Sequence, residues 1–281
     1  MRTLAIINQK GGCGKTTTAV NLSAALADKG YRVLLVDLDP QGHATLGVGV
    51  DPSKLDESIY DILMNPERSI QEIIRWTDIK NLWVAPSNIL LSGAEIQLVS
   101  RIGREKILEE IFANLDSSHY DFVIIDCAPS LSLLAVNAMN FAKKLIIPIQ
   151  AHYYAMEGMK QLFNTVEQVR RRLNPDLRVL GVLLTMVDAR TTISREVIQA
   201  VREHLKDKVF CTEIRSNVKL TEAPSAGQPI SLYDPASLGA RDYASLALEV
   251  LSREFGNRDD RLSSPEKSGV LDVQEETLGT V

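Results

Sequence analysis

The sequence predicts an α/β fold: a doubly wound, mostly parallel sheet with helices on both faces. Three observations predict it. Short runs of Val, Ile and Leu alternate with helical patterns along most of the chain, which is how strands buried on both faces read. A glycine-rich loop stands between the first strand and the first helix. Aspartates end two of the apolar runs, at the sheet edge where such folds bind ligands.

Each element follows in order. Thr3-Leu-Ala-Ile-Ile7 is an apolar, β-leaning strand. Thr16 to Lys29 is rich in Ala and Leu, sets Val20, Ala24 and Ala27 at helical spacing, and ends at Gly30. Arg32-Val-Leu-Leu-Val-Asp37 is the second strand. Residues 51–80 are mixed and polar, punctuated by Pro52 and Pro66, and predict short helices over the sheet edge. Leu82-Trp-Val-Ala85 is a short strand stopped by Pro86, and Ile107 to Leu115 an amphipathic helix. Phe122-Val-Ile-Ile-Asp126 and Leu145-Ile-Ile-Pro-Ile149 are buried strands. Glu157 to Leu173 is a long helix ended by Asn174-Pro175, Val179 to Met186 a further strand, and Arg195 to His204 a helix. Crossovers between the parallel strands are expected to be right-handed. Residues 257–281 are rich in Ser, Gly, Asp and Glu without aromatics and predict a disordered acidic tail, leaving residues 1–256 as one domain.

Composition bounds the function. Of the 281 residues, 45% are hydrophobic, enough for a substantial core. No run of eighteen apolar residues and no signal peptide is visible, so neither a membrane span nor export is expected. Cys13, Cys127 and Cys211 are odd in number, far apart and without C-x-x-C spacing. That excludes a disulfide framework and a zinc site and suits a reduced, cytoplasmic compartment. The net charge of −5 argues against coating nucleic acid by bulk charge. The tail, with three basic side chains against six acidic ones, carries much of that charge, so a local basic patch on the body stays open.

Residues 8–18 read Asn-Gln-Lys-Gly-Gly-Cys-Gly-Lys-Thr-Thr-Thr. Gly14-Lys15-Thr16 closes a phosphate-binding loop, but the place of its usual opening glycine, six before Lys15, is held by Gln9, and an extra lysine, Lys10, follows it at the front of the loop. Gly11, Gly12 and Gly14 have no Cβ, so successive N–H groups, with Cys13 between them, can wrap phosphate oxygens. The helix beginning near Lys15, Thr16 and Thr17 adds its positive end. Lys15 is suited to bridging β- and γ-phosphates of ATP, and the Thr16 hydroxyl to ligating Mg²⁺. Asp126 ends an apolar strand, where a lone carboxylate is costly without a partner, and Mg²⁺ or its waters fit it. Asp39 lies in an Asp39-Pro-Gln-Gly42 turn and is assigned to orienting the attacking water together with Mg²⁺. Asp37 is read as structural.

Lys10-Gly-Gly-Cys-Gly-Lys-Thr16, Asp37-Leu-Asp-Pro-Gln-Gly42 and Asp126-Cys-Ala-Pro-Ser130 resemble the three nucleotide motifs of the ParA/MinD family of deviant Walker ATPases, P-loop NTPases by fold. Ile147-Pro-Ile-Gln-Ala-His-Tyr-Tyr-Ala-Met-Glu-Gly158, Thr185-Met-Val-Asp-Ala-Arg190 and Asn217-Val-Lys-Leu-Thr-Glu-Ala-Pro-Ser225 are most similar to its chromosomal ParA (Soj) branch. The resemblance implies an Mg²⁺-dependent ATPase that forms a homodimer when ATP is bound. Lys10 of each subunit would reach the phosphates of the other, and Lys10, Lys15 and Asp39 would be its catalytic residues. Asp188 with Arg215 and Asn217 would read the adenine.

MinD-type members dock on membranes through a basic amphipathic C-terminal helix; the acidic tail offers none. The ParA branch binds DNA without sequence preference, and Arg215 and Lys219, with Arg190, Arg195 and Arg202, are the cations expected to do so here. The family's usual Ile-Pro-Arg-Asn-Val-Arg is Ile214-Arg-Ser-Asn-Val-Lys219 in this chain, which shifts one arginine and replaces another. The expected role is chromosome or plasmid partitioning on the nucleoid, with a ParB-type centromere-binding partner that stimulates hydrolysis. The alternative is a related ATPase that positions a division site, flagellum or protein cargo. An iron–sulfur reductase with the same loop would need cluster cysteines at a dimer axis, whereas Cys13 and Cys127 lie in the nucleotide motifs.

Overall fold

The computed structural model describes residues 1–116, 118–151, 155–188 and 190–256. The acidic tail and His152 to Tyr154 of the fourth motif, Ile147 to Gly158, therefore lie outside the described residues. The first half of the chain supplies β1 (Arg2–Ile6), α1 (Lys15–Asp28), β2 (Val33–Leu38), α2 (His43–Gly47), α3 (Ile59–Met64), β3 (Arg75–Trp76), β4 (Leu82–Ala85), α4 (Ala94–Leu98), α5 (Ile107–Ala113) and β5 (Phe122–Cys127). The second half supplies α6 (Leu133–Phe141), β6 (Lys144–Gln150), α7 (Ala155–Arg172), β7 (Arg178–Val187), α8 (Thr192–Leu205), β8 (Val209–Arg215), α9 (Val218–Glu222), α10 (Ile230–Tyr233) and α11 (Leu238–Phe255).

The strands form one eight-stranded sheet in the order β3-β4-β2-β5-β1-β6-β7-β8, parallel throughout except for β3 at the edge. Every residue of β2 and β5 is buried, as runs such as Val-Leu-Leu-Val and Phe-Val-Ile-Ile require. Period-two alternation divides them between two cores. Leu4, Ile6, Val33, Leu35, Phe122 and Ile124 pack with α1 and α11 on one face. Ala5, Leu34, Val36, Val123 and Ile125 pack with α3 to α8 on the other.

The same alternation places the acids. Asp37 and Asp126 are register partners on β2 and β5, and each continues the row that faces α1. Both carboxylates thus come up beneath the start of α1, at the carboxyl ends of the central strands.

Three elements correct the sequence reading of where structure ends. β3 is a two-residue antiparallel strand inside the stretch expected to hold only short helices. β8, an edge strand, mixes polar residues into Val-Phe-Cys-Thr-Glu-Ile-Arg and so gives no continuous apolar run. α11 was not anticipated, although Tyr243, Leu246, Ala247 and Val250 form its buried stripe at helical spacing.

Candidate active site

The loop between β1 and α1 is shaped by its glycines. Gly12 and Gly14 take φ values of 69° and 85°, which a side chain resists, and Gly14 caps α1 in that left-handed conformation. Neighbouring strands clamp the loop. The Asn8 amide donates to the Pro148 carbonyl (2.7 Å) while its oxygen accepts from the Lys10 N–H (3.0 Å). The Gln9 amide donates to the Gly158 carbonyl (3.0 Å), and the Thr185 hydroxyl at the end of β7 donates to the Cys13 carbonyl (2.9 Å). Cys13 itself is buried, and burial pushes its thiol up, so it is a packing residue.

The two lysines of the loop stand in opposite environments. Lys15 is buried, and its ammonium reaches across the loop to the Lys10 carbonyl (3.0 Å). Lys10 is exposed at the outer end of the same loop. One cation is thus fixed inside the cradle and the other is presented outwards.

Asp37, Asp39 and Asp126 divide as their surroundings dictate. Asp37 is fully buried and accepts from the Thr45 N–H (2.8 Å), the Thr45 hydroxyl (2.7 Å) and the Asp39 N–H (3.1 Å). Burial nevertheless pushes it up to about 6. Through Thr45 it ties β2 to α2. Asp39 is 8% exposed and accepts from the Gln41 N–H (3.0 Å), which holds the following turn. Asp126 is fully buried with neither oxygen taking a hydrogen bond. Burial, reinforced by Asp37, raises it well above the carboxylate range, and the nearby Thr16 hydroxyl and Lys15 ammonium oppose this only in part.

A buried carboxylate without a donor, next to a hydroxyl and a phosphate loop, fits a divalent cation that completes its shell with phosphate and water. Among the described residues no three His, Cys, Asp or Glu side chains gather into a cage of their own.

The expected adenine loop comes to the same edge. Val187 pairs with Arg215 in register, and the Ser216 N–H donates to the Val187 carbonyl (3.0 Å), which sets Asp188 beside Asn217. The Asn217 side chain caps α9 by accepting from the Lys219 N–H (2.9 Å).

Four of the five expected DNA cations are already paired with carboxylates. Arg190 forks onto Asp188 (2.8 Å), and Lys219 pairs with Glu222 (2.8 Å). Arg202 pairs with Glu213 (2.7 Å), and Arg215 forks onto the buried Asp242. Arg215 thereby joins β8 to α11, a structural task the motif did not reveal. Arg195 is exposed and makes no ion pair among the described residues. Asn8, Thr45 and Thr185 were passed over as site residues; two of them lay inside motifs already quoted and simply lacked an evident partner in one dimension.

Comparison with known proteins places this geometry. A family model described as an AAA domain matches residues 1–179. The sporulation initiation inhibitor protein Soj of Bacillus subtilis is 51% identical over 247 residues, 88% of this chain and 97% of that protein. The chromosome partitioning protein ParA of Myxococcus xanthus is 46% identical, covering 90% of this chain and 89% of its own length. Among solved structures, cobyrinic acid a,c-diamide synthase from Mycobacterium smegmatis with bound ADP and magnesium superposes with a TM-score of 0.80 at 38% identity, covering 91% of this chain and 96% of that one.

Proposed function

Because the chain belongs to the ParA/MinD family of P-loop ATPases, we propose that it is an Mg²⁺-dependent ATPase whose ATP-bound dimer grips DNA without sequence preference and partitions a chromosome or plasmid. The observation that carries this reading is the division of the two loop lysines, Lys15 inside the cradle and Lys10 outside it. A cation presented to a facing subunit strengthens that contact only while the neighbour holds a triphosphate, so nucleotide state sets the dimer.

The backbone N–H groups from Gly11 to Thr17 hold the phosphates, and Lys15 bridges β and γ. Thr16 and Asp126 would hold Mg²⁺, which when bound supplies charge neutralisation between the phosphates. Asp39 orients the attacking water. Asp188, Arg215 and Asn217 face the base. Exposed Ile89, Leu90, Ile96, Val99 and Ile102 around α4 support the dimer. Glu95 accepts from the Leu134 N–H (3.4 Å) at the start of α6, so α4 borders the loop that carries Pro129 up to Gly11. Apolar surface of that extent beside a nucleotide edge fits a facing subunit.

The protein would work in the cytoplasm on the nucleoid, its hydrolysis stimulated by a ParB-type partner. No helix among the described residues is long and apolar enough to cross a membrane. The domain is residues 1–256, with 257–281 an acidic tail. The pairing of Arg190, Arg215 and Lys219 with carboxylates favours one alternative: a positioning ATPase for a division site, flagellum or protein cargo, with a weaker hold on DNA. Fluorescence anisotropy with a DNA duplex separates them. Partitioning predicts binding that needs ATP and Mg²⁺ and falls steeply with salt. DNA binding absent under all nucleotide conditions favours the positioning reading.

A further inference from the structure

A groove of about 620 Å³ lies at the opposite end of the sheet from the nucleotide loop, where β6, β7 and β8 begin. Lys144, Arg178, Arg202, Lys206 and Arg253 line it, Asp207 is the one acid among its lining residues, and Cys211 stands in its wall. On a chain of net charge −5 this is a local reversal of sign. Three of the cations already face carboxylates: Lys144 meets Glu254 (3.0 Å), Arg202 meets Glu213 (2.7 Å) and Arg253 meets Glu249 (2.8 Å). Arg178 donates only to the Pro175 and Leu177 carbonyls, and Lys206 makes no ion pair among the described residues. The groove therefore keeps an uncompensated positive charge, too weak to hold a dilute ligand strongly.

α11 brings the chain end to this place. Arg253 in its last turn forms one wall by donating to the Leu180 and Val209 carbonyls, and Glu254 pairs with both Arg2 and Lys144. Gly256 then caps the helix at φ 59°. Residues 257–281 follow, with six acids against three bases, and Asp259-Asp260 come first among the acids. Three or four extended residues span about 10–14 Å, which sets how far from Gly256 that pair can reach.

We propose that the groove binds the acidic segment 257–281 of the same chain, with Asp259 and Asp260 opposite Arg178 and Lys206. A tether confers a local concentration of order millimolar, so a contact too weak for a free peptide suffices for an attached one. Seated there, the segment neutralises the basic edge and shields it from other polyanions.

Cys211 reports on occupancy, because it is exposed while Cys13 and Cys127 are buried, and the chain has no other cysteine. Alkylation of Cys211 is timed in the whole chain, in a chain ending at Gly256, and in a whole chain whose six tail acids are replaced by their amides. A local concentration about three times the dissociation constant leaves the groove open a quarter of the time, so at low salt the whole chain reacts about fourfold more slowly. Truncation, acid-to-amide replacement, 0.5 M salt and the Arg178→Glu/Lys206→Glu pair each restore the faster rate. Equal rates in the whole and truncated chains at low salt overturn the proposal. Slowing that survives both high salt and amide replacement also overturns it, since the tail would then cover Cys211 without charge recognition.

Discussion

Replacing Asp126 by Asn tests the acid pair through stability. Asp126 is fully buried, its oxygens take no hydrogen bond, and its strand partner Asp37 is fully buried as well. Burial lifts Asp37 from its ordinary 3.8 to about 6, a difference worth about 3 kcal/mol against folding at neutral pH. Asp126 is pushed the same way, by burial first and by Asp37 next. Because both folded values lie above the unfolded ones, stability present below about pH 4 is lost as pH rises, for Asp37 through about 6. Asn keeps the shape of Asp126 and removes its charge, but leaves an amide with the same missing partners. The net gain at pH 7.5 without Mg²⁺ is about 2 kcal/mol, seen as a rise of about 5 °C in Tm. At pH 4 the two proteins should melt together. ATP with Mg²⁺ at a hundredfold excess over Kd should add about 2.7 kcal/mol to the parent chain and much less to the variant. Thermal melts at pH 4, 5.5 and 7.5, with and without Mg²⁺ and ATP, give all of these. A variant less stable than the parent at pH 7.5 without Mg²⁺, or one equally stabilised by it, refutes the reasoning.

Further outcomes follow from other contacts. Thr185→Val removes the hydroxyl that holds the Cys13 carbonyl and should weaken ATP binding by about 1 kcal/mol, roughly fivefold by calorimetric titration; unchanged affinity would show that the clamp does not shape the loop. A Cβ on Gly181 would meet the Phe210 ring at 2.5 Å and Arg253 at 2.9 Å, so Gly181→Ala should cost about 1–3 kcal/mol in denaturant unfolding while ATP affinity stays. Lys219→Glu, at a side chain 46% exposed, should lower the slope of log affinity for DNA against log salt by about one or more; an unaltered slope would direct attention to Arg195.

The sheet was legible because its strands are continuous apolar runs, and all of the parallel ones except edge strand β8 announce themselves that way. The phosphate loop and the three aspartates could be singled out for a different reason: the chemistry proposed for them needs fixed residue types at fixed spacing. Partnership across the fold was not legible. Nothing in Ile214-Arg-Ser-Asn-Val-Lys219 shows that Arg215 has Asp242 waiting on α11, 27 residues away. The role of Asn8 depends likewise on Pro148, 140 residues on. Period-two alternation could have put Asp37 and Asp126 on one face, but only the register of β2 on β5 makes them neighbours.

The central claim is that nucleotide state sets the dimer through Lys10, and solution mass tests it most directly. Asp39→Ala, which should slow hydrolysis and hold the ATP state, is measured by light scattering with Mg²⁺ and either ATP or ADP. The account predicts about twice the 31.1 kDa chain mass with ATP and the single mass with ADP. It also predicts the single mass with ATP once Lys10→Ala is added, with ATP still bound. A mass indifferent to nucleotide, or an ATP dimer that survives the loss of Lys10, would contradict it.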